Sequence, residues 1–135
     1  MKFLHTMIRV SDLDRSIRFY REGLGFELRT RKDFDKGRFT LAFLAIPGQP
    51  GEIELTHNWD RTEPYERGNG YGHVGLGVDS IDSVGERLKA HGYQLSWGPG
   101  KTPGGERQMA FVDDPDGYEI ELIEQESQPR PTPGP

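Results

Sequence analysis

Two short stretches, EIELT at residues 52–56 and EIELI at residues 119–123, each place a glutamate between an isoleucine and a leucine. In a β-strand, successive side chains point to opposite faces, so the isoleucine and leucine can enter a core while the glutamate faces the other way. One such triplet is typical of any half-buried strand. Two copies indicate an internal repeat if the residues around them also match.

The residues that precede each copy do follow the same order of predicted elements. The first half predicts a strand, a helix and three strands, at residues 3–10, 11–25, 27–31, 40–46 and 52–56. The second half predicts the same series, at residues 73–79, 80–92, 93–97, 108–113 and 118–124. Ser or Asp residues stand where each helix would begin, and glycines stand where each would end. The pattern is therefore βαβββ, twice.

The spacing between matching residues supports this repeat. His5 and His73 are 68 residues apart, as are Phe43 and Phe111. The central glutamates of the two opening stretches are 67 residues apart. A repeat of this kind means that the two halves form equivalent structural units. Here it predicts that histidine corresponds to histidine, and glutamate to glutamate.

The repeat predicts one α+β domain over residues 1–126. Its parts are a module at about residues 1–58, a connection at about residues 59–71 and a second module at about residues 72–126. Residues 98–107 are too rich in Gly and Pro for the interior of an element and are expected to form a mobile flap. Residues 127–135 lack apolar anchors and are expected to form a disordered tail.

The composition excludes several classes of function. The formal net charge of −5 argues against a nucleic-acid or anionic-membrane surface, since both favour a basic stripe. The absence of cysteine excludes disulfides and thiolate metal sites. The chain has neither an apolar run of about 20 residues nor the apolar segment of a signal peptide, so we expect a cytoplasmic protein.

Four side chains are predicted to lie on the sheet faces that point away from the helices. Within each module, the apolar face of the first and last strands packs on the helix, which turns the histidine and the glutamate to the other side. Two curved half-sheets would then direct all four side chains into one concavity, with two nitrogens and two oxygens for a divalent ion. The predicted metal ligands are His5, Glu54, His73 and Glu121. By contrast, His57 has no counterpart in the repeat and His91 lies at a predicted helix end, so both are expected to be structural.

Four long motifs resemble glyoxalase I, or lactoylglutathione lyase, a family of the vicinal-oxygen-chelate superfamily. They are HTMIRVSDLDRSIRFYREGLGFELRTR, IELTHNW, YGHVGLGV and FVDDPDGYEIELIE. The resemblance extends over about residues 1–126 and matches the four predicted ligands one by one. It implies paired βαβββ modules in a cup-shaped sheet that is completed in a homodimer, with each metal site formed jointly by the two chains.

The identity of the first predicted ligand, His5, indicates which metal binds. Zinc-dependent members of the family carry Gln at that position and have longer loops, whereas this compact chain has His5 and resembles the nickel- or cobalt-activated bacterial type. Six-coordinate geometry with two nitrogens, two oxygens and two waters suits Ni²⁺ or Co²⁺ on chemical grounds. The resemblance therefore implies Ni²⁺ first, with Co²⁺ or Zn²⁺ as alternatives.

The resemblance also implies a reaction. The family isomerises the hemithioacetal of methylglyoxal and glutathione to S-D-lactoylglutathione, which detoxifies methylglyoxal and classes the enzyme as a carbon–sulfur lyase. The barrier is the removal of a proton from a carbon next to a carbonyl. Carry-over from the family makes Glu121 the principal base, and Glu54 either its acid–base partner or a plain ligand.

The predicted substrate contacts must supply local cations, because glutathione is anionic and the chain is acidic. Arg9 shares the predicted face of His5, and Asn58 shares that of Glu54; both resemble family residues that hold the γ-glutamyl end. Lys101 resembles the lysine that meets the glycyl carboxylate. The segment around it is longer than the short bacterial pattern, so Arg107 competes for the same role.

Three other functions stay open at this level. Another metalloenzyme of the superfamily, an epimerase or a dioxygenase, would share the fold, but an iron dioxygenase needs only two histidines and one carboxylate. A thiol transferase that acts on an antibiotic would also usually lack the fourth ligand. A metal-free protein that binds a small molecule in the concavity is the third. The thiol cosubstrate, glutathione or a related thiol, also stays open.

Overall fold

The computed structural model describes residues 1–105 and 107–125, and these form strands, two α-helices and one short π-helical segment. The strands of the first half are β1 (His5–Arg9), β2 (Glu27–Phe34), β3 (Phe39–Ala45) and β4 (Glu52–Asn58). Those of the second half are β5 (His73–Val78), β6 (Trp97–Lys101), β7 (Gln108–Asp113) and β8 (Glu119–Glu124). Helix α1 (Leu13–Arg18) continues into the π-helical segment (Phe19–Gly23), and α2 is Ile81–Ala90. The tail predicted at residues 127–135 lies outside the described residues, as does residue 126.

The strands form two four-stranded sheets with the same topology. Their orders are β1-β4-β3-β2 and β5-β8-β7-β6. In each sheet the first and last strands of the module pair in parallel, and the other neighbours pair in antiparallel fashion. A parallel pair requires a crossover connection, which the helix of each module begins. The α+β fold of paired βαβββ modules predicted from the repeat is confirmed.

Both helices begin at the caps that the sequence indicates. The Asp12 side chain accepts a hydrogen bond from the backbone N–H of Arg15 at 3.1 Å, and the Ser80 side chain accepts one from Ser83 at 3.2 Å. Each bond satisfies one of the backbone donors that a helix N-terminus leaves unpaired. After each helical segment the chain passes through a glycine in the left-handed region, Gly25 with φ of 83° or Gly92 with φ of 89°, where a glycine carries no steric penalty.

One continuous core joins the two modules. The apolar residues of the opening stretches enter it: Ile53 and Leu55 are buried in β4, and Ile120 and Leu122 are buried in β8. They pack with buried residues of the helices and of the neighbouring strands, which are Ile8, Val10, Leu13, Ile17, Phe19, Tyr20, Ile81, Leu88 and Val112. The helices thus cover one face of each sheet and leave the other face for polar side chains.

One predicted strand is wrong. Residues 93–96 precede β6, which begins at Trp97 and runs through the Gly/Pro-rich segment that was expected to be a flap. Because β6 is the edge strand of its sheet, it can include a proline and an irregular register between Trp97 and Gly100. The Trp97 ring lies directly over Gly100, where a Cβ would overlap it, so the two residues approach closely in this irregular part of the strand. The described residues of the predicted flap that follow Lys101, which are 102–105 and 107, form turns and bends between β6 and β7.

A turn at residues 114–118, between β7 and β8, ties the second module to the first. The Asp114 carboxylate accepts hydrogen bonds from the Tyr20 hydroxyl at 2.9 Å and from two backbone N–H groups of its own turn. Asp116 accepts hydrogen bonds from the Ser11 hydroxyl at 2.8 Å and the Ser16 hydroxyl at 3.2 Å. These bonds join segments that are about 100 residues apart in sequence.

The Asp114 carboxyl is buried, and its burial raises its pKa from the ordinary 3.8 to about 6, although its three hydrogen bonds act in the opposite direction. Between these two pKa values the folded chain binds more protons than the unfolded chain. The free energy of unfolding that this carboxyl contributes therefore falls as the pH rises from 3.8 to about 6, and it is constant above that range.

We expect Asp114→Asn to remove this pH dependence, because asparagine keeps the size and one acceptor oxygen but cannot ionise. Relative to the variant, the wild type should lose about 2 kcal/mol of unfolding free energy between pH 4 and pH 7. Urea denaturation at fixed protein concentration across this pH range measures the difference. Glu86→Gln, an exposed change on α2, is the matched control. A difference between wild type and Asp114→Asn that does not vary with pH would contradict the assignment.

Candidate metal site

A histidine and a glutamate meet on the helix-free face of the first sheet. His5 opens β1, and Glu54 lies in the parallel neighbour β4, opposite Met7. Because Met7 is two residues after His5, all three side chains point to the same face. The His5 Nε2 atom lies 3.2 Å from Glu54 Oε1. The glutamate side chain is 14% exposed and the histidine side chain 37% exposed, so the pair is open to a ligand from one side.

The second sheet repeats this geometry. His73 opens β5, and Glu121 lies in β8 opposite Gly75, which is again two residues after the histidine. The His73 Nε2 atom lies 3.6 Å from Glu121 Oε2. The side chains are 42% and 17% exposed. The two His–Glu pairs therefore occupy equivalent positions, and the opening stretches EIELT and EIELI are structural counterparts.

A phenylalanine forms one wall of each pair. Phe43 of β3 is the strand partner of Glu54, and its ring packs edge-on against His5 with the ring centroids 5.6 Å apart. Phe111 of β7 is the partner of Glu121 and packs against His73 in the same way, at 5.7 Å. An edge-on aromatic contact restricts the rotation of each imidazole and keeps water from one side of it.

The two pairs do not meet within one chain. Among the described residues, no three histidine, aspartate or glutamate side chains lie close enough to share a metal ion. The expectation that two half-sheets of one chain direct all four side chains into one concavity is therefore wrong. The reason is that the two modules form separate sheets, each hydrogen-bonded only within itself, so each pair has its own surface.

Each pair nevertheless fits half of a metal site. Two ligands that are each about 2.1 Å from an ion and adjacent to each other are about 3.0–3.4 Å apart. The nitrogen–oxygen distances of 3.2 Å and 3.6 Å are close to this range. Imidazole nitrogen and carboxylate oxygen are also ligands that divalent transition metals accept. Two such pairs together would supply the two nitrogens and two oxygens.

One contact distinguishes the two glutamates. The Thr56 hydroxyl, which is buried, donates a hydrogen bond to Glu54 Oε2 at 3.3 Å. The position equivalent to Thr56 in the second module is Ile123, which has no hydroxyl. Glu54 is thus restrained by a second group, and Glu121 lacks that restraint. Thr56 was not singled out from the sequence, although the last residues of EIELT and EIELI already differ at this position.

Arg9 and Asn58 lie in adjacent depressions of the surface. Arg9 ends β1 and lines a cleft of about 230 Å³. Asn58 ends β4 and lines a depression of about 450 Å³ with residues 60–63. Tyr65 links the two, because it lines the Arg9 cleft and its hydroxyl accepts a hydrogen bond from Asn58 Nδ2 at 2.8 Å. Tyr65 was not singled out from the sequence, where its segment was interpreted only as a connection.

The start of β8 also contacts this cleft. The Tyr118 hydroxyl donates a hydrogen bond to the backbone carbonyl of Arg9 at 2.8 Å. Tyr118 belongs to the turn at residues 114–118 and directly precedes the strand that carries Glu121. The turn therefore positions the end of β1 relative to the second module.

The other two predicted substrate contacts lie elsewhere. Lys101 is exposed at the end of β6, opposite Gln108, and Arg107 is exposed in the turn between β6 and β7. The Arg107 backbone accepts a hydrogen bond from the N–H of Thr102. Neither Lys101 nor Arg107 is among the described residues that line the Arg9 cleft. A single chain thus does not bring all four predicted substrate contacts together.

The two remaining histidines have different surroundings from the His–Glu pairs. His57 Nδ1 lies 3.3 Å from the backbone carbonyl of Val10. His91 is the C-terminal cap residue of α2, with its backbone N–H bonded to Leu88, and its Nδ1 lies 3.8 Å from Glu22 on the helical side of the molecule. Both positions agree with a structural role.

The chain resembles known proteins over most of its length. Residues 2–122 match the family described as the Glyoxalase/Bleomycin resistance protein/Dioxygenase superfamily. A protein of Synechocystis sp. named probable lactoylglutathione lyase is 48% identical over 94% of this chain and 98% of its own. Glyoxalase I from Zea mays superposes with a TM-score of 0.87 at 36% identity, over 95% of this chain and 46% of the maize chain. The trypanothione-dependent glyoxalase I of Leishmania major gives a TM-score of 0.77 at 38% identity, over 92% and 86%.

None of the described helices is both long enough and apolar enough to span a membrane.

Removing the histidine of either pair should abolish metal binding. We expect His5→Ala and His73→Ala each to lose stoichiometric metal, because one remaining pair and a lone carboxylate cannot hold a divalent ion tightly. His91→Ala, on the helical side, should retain the wild-type metal content. Dialysis against metal-free buffer followed by elemental analysis measures all three variants. Full retention of metal by either pair variant would mean that the pairs are not ligands.

Proposed function

The chain belongs to the Glyoxalase/Bleomycin resistance protein/Dioxygenase superfamily, and on this premise we infer that it is a lactoylglutathione lyase. It isomerises the hemithioacetal of methylglyoxal and glutathione to S-D-lactoylglutathione and so removes methylglyoxal. The observation that carries this inference is the presence of two equivalent His–Glu pairs in a chain that is 48% identical to a protein named probable lactoylglutathione lyase.

Each metal site is completed by a second copy of the chain. His5 and Glu54 of one protomer would join His73 and Glu121 of the other, so that a homodimer holds two sites. The separation of the pairs within one chain supports this arrangement. Large apolar side chains are also exposed near both pairs: Phe3 and Leu4 precede His5, and Trp97 packs on Phe111 beside His73. A subunit interface would bury them.

Ni²⁺ is the preferred metal, with Co²⁺ or Zn²⁺ as alternatives. Two imidazoles and two carboxylates would hold a divalent ion of this kind and leave room beside it for water or substrate oxygens. A divalent ion at this place supplies positive charge that stabilises the enediolate formed when the substrate loses its proton. His5 as the first ligand, where zinc-dependent relatives carry Gln, supports the preference for Ni²⁺.

Glu121 acts as the principal base and moves the proton between the two adjacent carbons of the substrate. The difference between the glutamates supports this assignment. The Thr56 hydroxyl restrains one oxygen of Glu54, which suits a fixed ligand, whereas the equivalent Ile123 gives Glu121 no such restraint.

The substrate is held by its glutathione part. Arg9 and Asn58 bind the γ-glutamyl end, and Lys101 or Arg107 binds the glycyl carboxylate. Local cations are needed because the chain carries a net charge of −5 while glutathione is itself an anion. The hairpin of β6 and β7 carries both candidate cations for the glycyl end, at a distance from the Arg9 cleft along the chain surface.

Other functions of the superfamily fit the site less well. A dioxygenase with two histidines and one carboxylate would leave Glu54 without a role. A metal-free binding protein would have no need of two His–Glu pairs in equivalent registers. The thiol is the least constrained part of the proposal, since the Leishmania major relative is described as trypanothione-dependent.

The direct test uses purified protein loaded with Ni²⁺, Co²⁺ or Zn²⁺. Methylglyoxal is mixed with glutathione, trypanothione or another thiol, and formation of the thioester is followed by its ultraviolet absorbance. The proposal predicts rapid thioester formation with the glutathione adduct and no activity after removal of metal. No thioester with any thiol or metal would refute the proposed activity.

Mixing two inactive variants tests whether each site is shared. His5→Ala and His73→Ala damage both sites of their own homodimers, but a mixed dimer carries both defects in one site and leaves the other intact. With random exchange of subunits, about a quarter of the wild-type sites should return, in metal content and in activity. Light scattering should show twice the chain mass of 15.3 kDa for each protein. If neither metal content nor activity returns after confirmed subunit exchange, each site lies within one chain.

Replacing Glu121 by glutamine should separate metal binding from proton transfer. The amide oxygen can still coordinate the ion, but the side chain no longer accepts the substrate proton. In samples with measured metal content, kcat should fall by about 10²–10⁴-fold, the usual contribution of general-base catalysis. Glu124→Gln, in the same strand but outside the His73 pair, should keep its kcat. If metal-loaded Glu121→Gln keeps a nearly normal kcat, Glu121 is not the base and Glu54 takes that role.

A further inference from the structure

The connection between the modules places a tyrosine against one of the proposed substrate contacts. The Tyr65 hydroxyl accepts a hydrogen bond from Asn58 Nδ2 at 2.8 Å. The same tyrosine lines the cleft that contains Arg9. Tyr65 is half-buried, and its contact joins the end of β4 to the middle of the connection. It therefore touches the surroundings of both residues that are proposed to hold the γ-glutamyl end.

The Tyr65 ring is itself held in place. The Arg61 guanidinium lies over it, 4.3 Å from the ring centroid. Arg61 also donates hydrogen bonds to the backbone carbonyls of Glu63 and Pro64, at 3.3 Å and 3.1 Å. These bonds brace the short loop that leads to the tyrosine. A cation over an aromatic face with its remaining donors bonded to backbone leaves the ring little freedom to turn away.

The far end of this segment is fixed as well. Arg67 donates a hydrogen bond to the backbone carbonyl of Asp116 at 2.7 Å, which attaches the connection to the turn at residues 114–118. In the same turn, the Tyr118 hydroxyl donates a hydrogen bond to the backbone carbonyl of Arg9. Tyr65 thus lies between two anchored points, and its hydroxyl keeps a defined position relative to both β1 and β4.

The orientation of the Asn58 amide decides which of its two polar atoms can meet a substrate. An asparagine side chain presents a donor on one side and an acceptor on the other, and rotation by half a turn exchanges them. In the structure the Asn58 nitrogen donates to Tyr65, and the carbonyl oxygen faces the other way. Within the described part of the chain, that oxygen accepts no hydrogen bond. It is available to a donor such as the ammonium of a γ-glutamyl group.

We propose that Tyr65 is a positioning residue that orients the Asn58 amide, so that its carbonyl oxygen receives the γ-glutamyl ammonium of the substrate. This inference rests on the proposed function and deepens it. Tyr65 touches Asn58 and not the reacting carbons. Its loss would therefore weaken binding of one end of the substrate and would leave the chemical step almost unchanged.

The first experiment compares Tyr65→Phe with the wild type under saturating metal. Phenylalanine keeps the ring under Arg61 and removes only the hydroxyl. One hydrogen bond is worth about three- to tenfold, so KM for the glutathione adduct should rise by about that factor while kcat changes less than about twofold. Tyr93→Phe is the matched control, because the structure describes no hydrogen bond for its hydroxyl. Metal content and thermal stability should be the same in all three proteins.

A double-mutant cycle distinguishes positioning from simple packing. If Tyr65 acts through Asn58, then Tyr65→Phe should add nothing to the effect of Asn58→Ala. Arg9→Ala should raise KM independently, so its effect should add to that of Tyr65→Phe. The hemithioacetal of cysteinylglycine, which lacks the γ-glutamyl group, should be turned over equally by wild type and Tyr65→Phe. Additive effects with Asn58→Ala, or an equal loss with cysteinylglycine, would overturn the proposal.

Binding measured without turnover keeps this test separate from the test of the activity. Calorimetry with S-methylglutathione should show about three- to tenfold weaker binding to metal-loaded Tyr65→Phe than to wild type. If the wild type makes no lactoylglutathione but this weakening is found, the proposed activity fails and the role of Tyr65 stands. If the wild type is active and its affinity for S-methylglutathione is unchanged in Tyr65→Phe, the role of Tyr65 fails alone.

Discussion

The alternation of side chains along four parallel-paired strands is the constraint on which the rest of the structure depends. In β4 and β8, isoleucine and leucine must enter the core, and the residue between them must then point to the opposite face. The parallel pairing with β1 and β5 brings a histidine to each of these faces. A shift of one residue in either strand would bury the glutamate and expose the apolar pair, so the core itself holds the His–Glu geometry in place.

The same constraint explains why one chain holds two separate His–Glu pairs. The helices and the common core occupy the inner face of both sheets, and the polar pairs are left on outer faces that do not converge within the chain. Apolar side chains around each pair, such as Leu4 and Trp97, remain exposed. In the proposed homodimer the chemistry would be completed between subunits, which would couple assembly to activity.

The connection between the modules and the turn at residues 114–118 fix the relative positions of strands that the repeat does not determine. Both are irregular, yet they are fixed by side-chain hydrogen bonds: Tyr20 with Asp114, Arg67 with the turn backbone, and Tyr65 with Asn58. They link the end of β1 to the start of the strand that carries Glu121. Departures from the repeat also differentiate the modules, as the hydroxyl of Thr56 has no equivalent at Ile123.

The sequence by itself determined the βαβββ order of both modules, the start of each helix to within one residue and the equivalence of the two His–Glu pairs, because side-chain periodicity and capping are local properties. It also identified the family, through motifs that extend well beyond the ligands. Only the tertiary structure decided that β6 runs through the Gly/Pro-rich segment, since an edge strand tolerates residues that a central strand excludes. Only the tertiary structure separated the two pairs and brought Tyr65 to Asn58. Such contacts depend on how distant segments pack, and no periodicity along the chain reports the distance between two sheets.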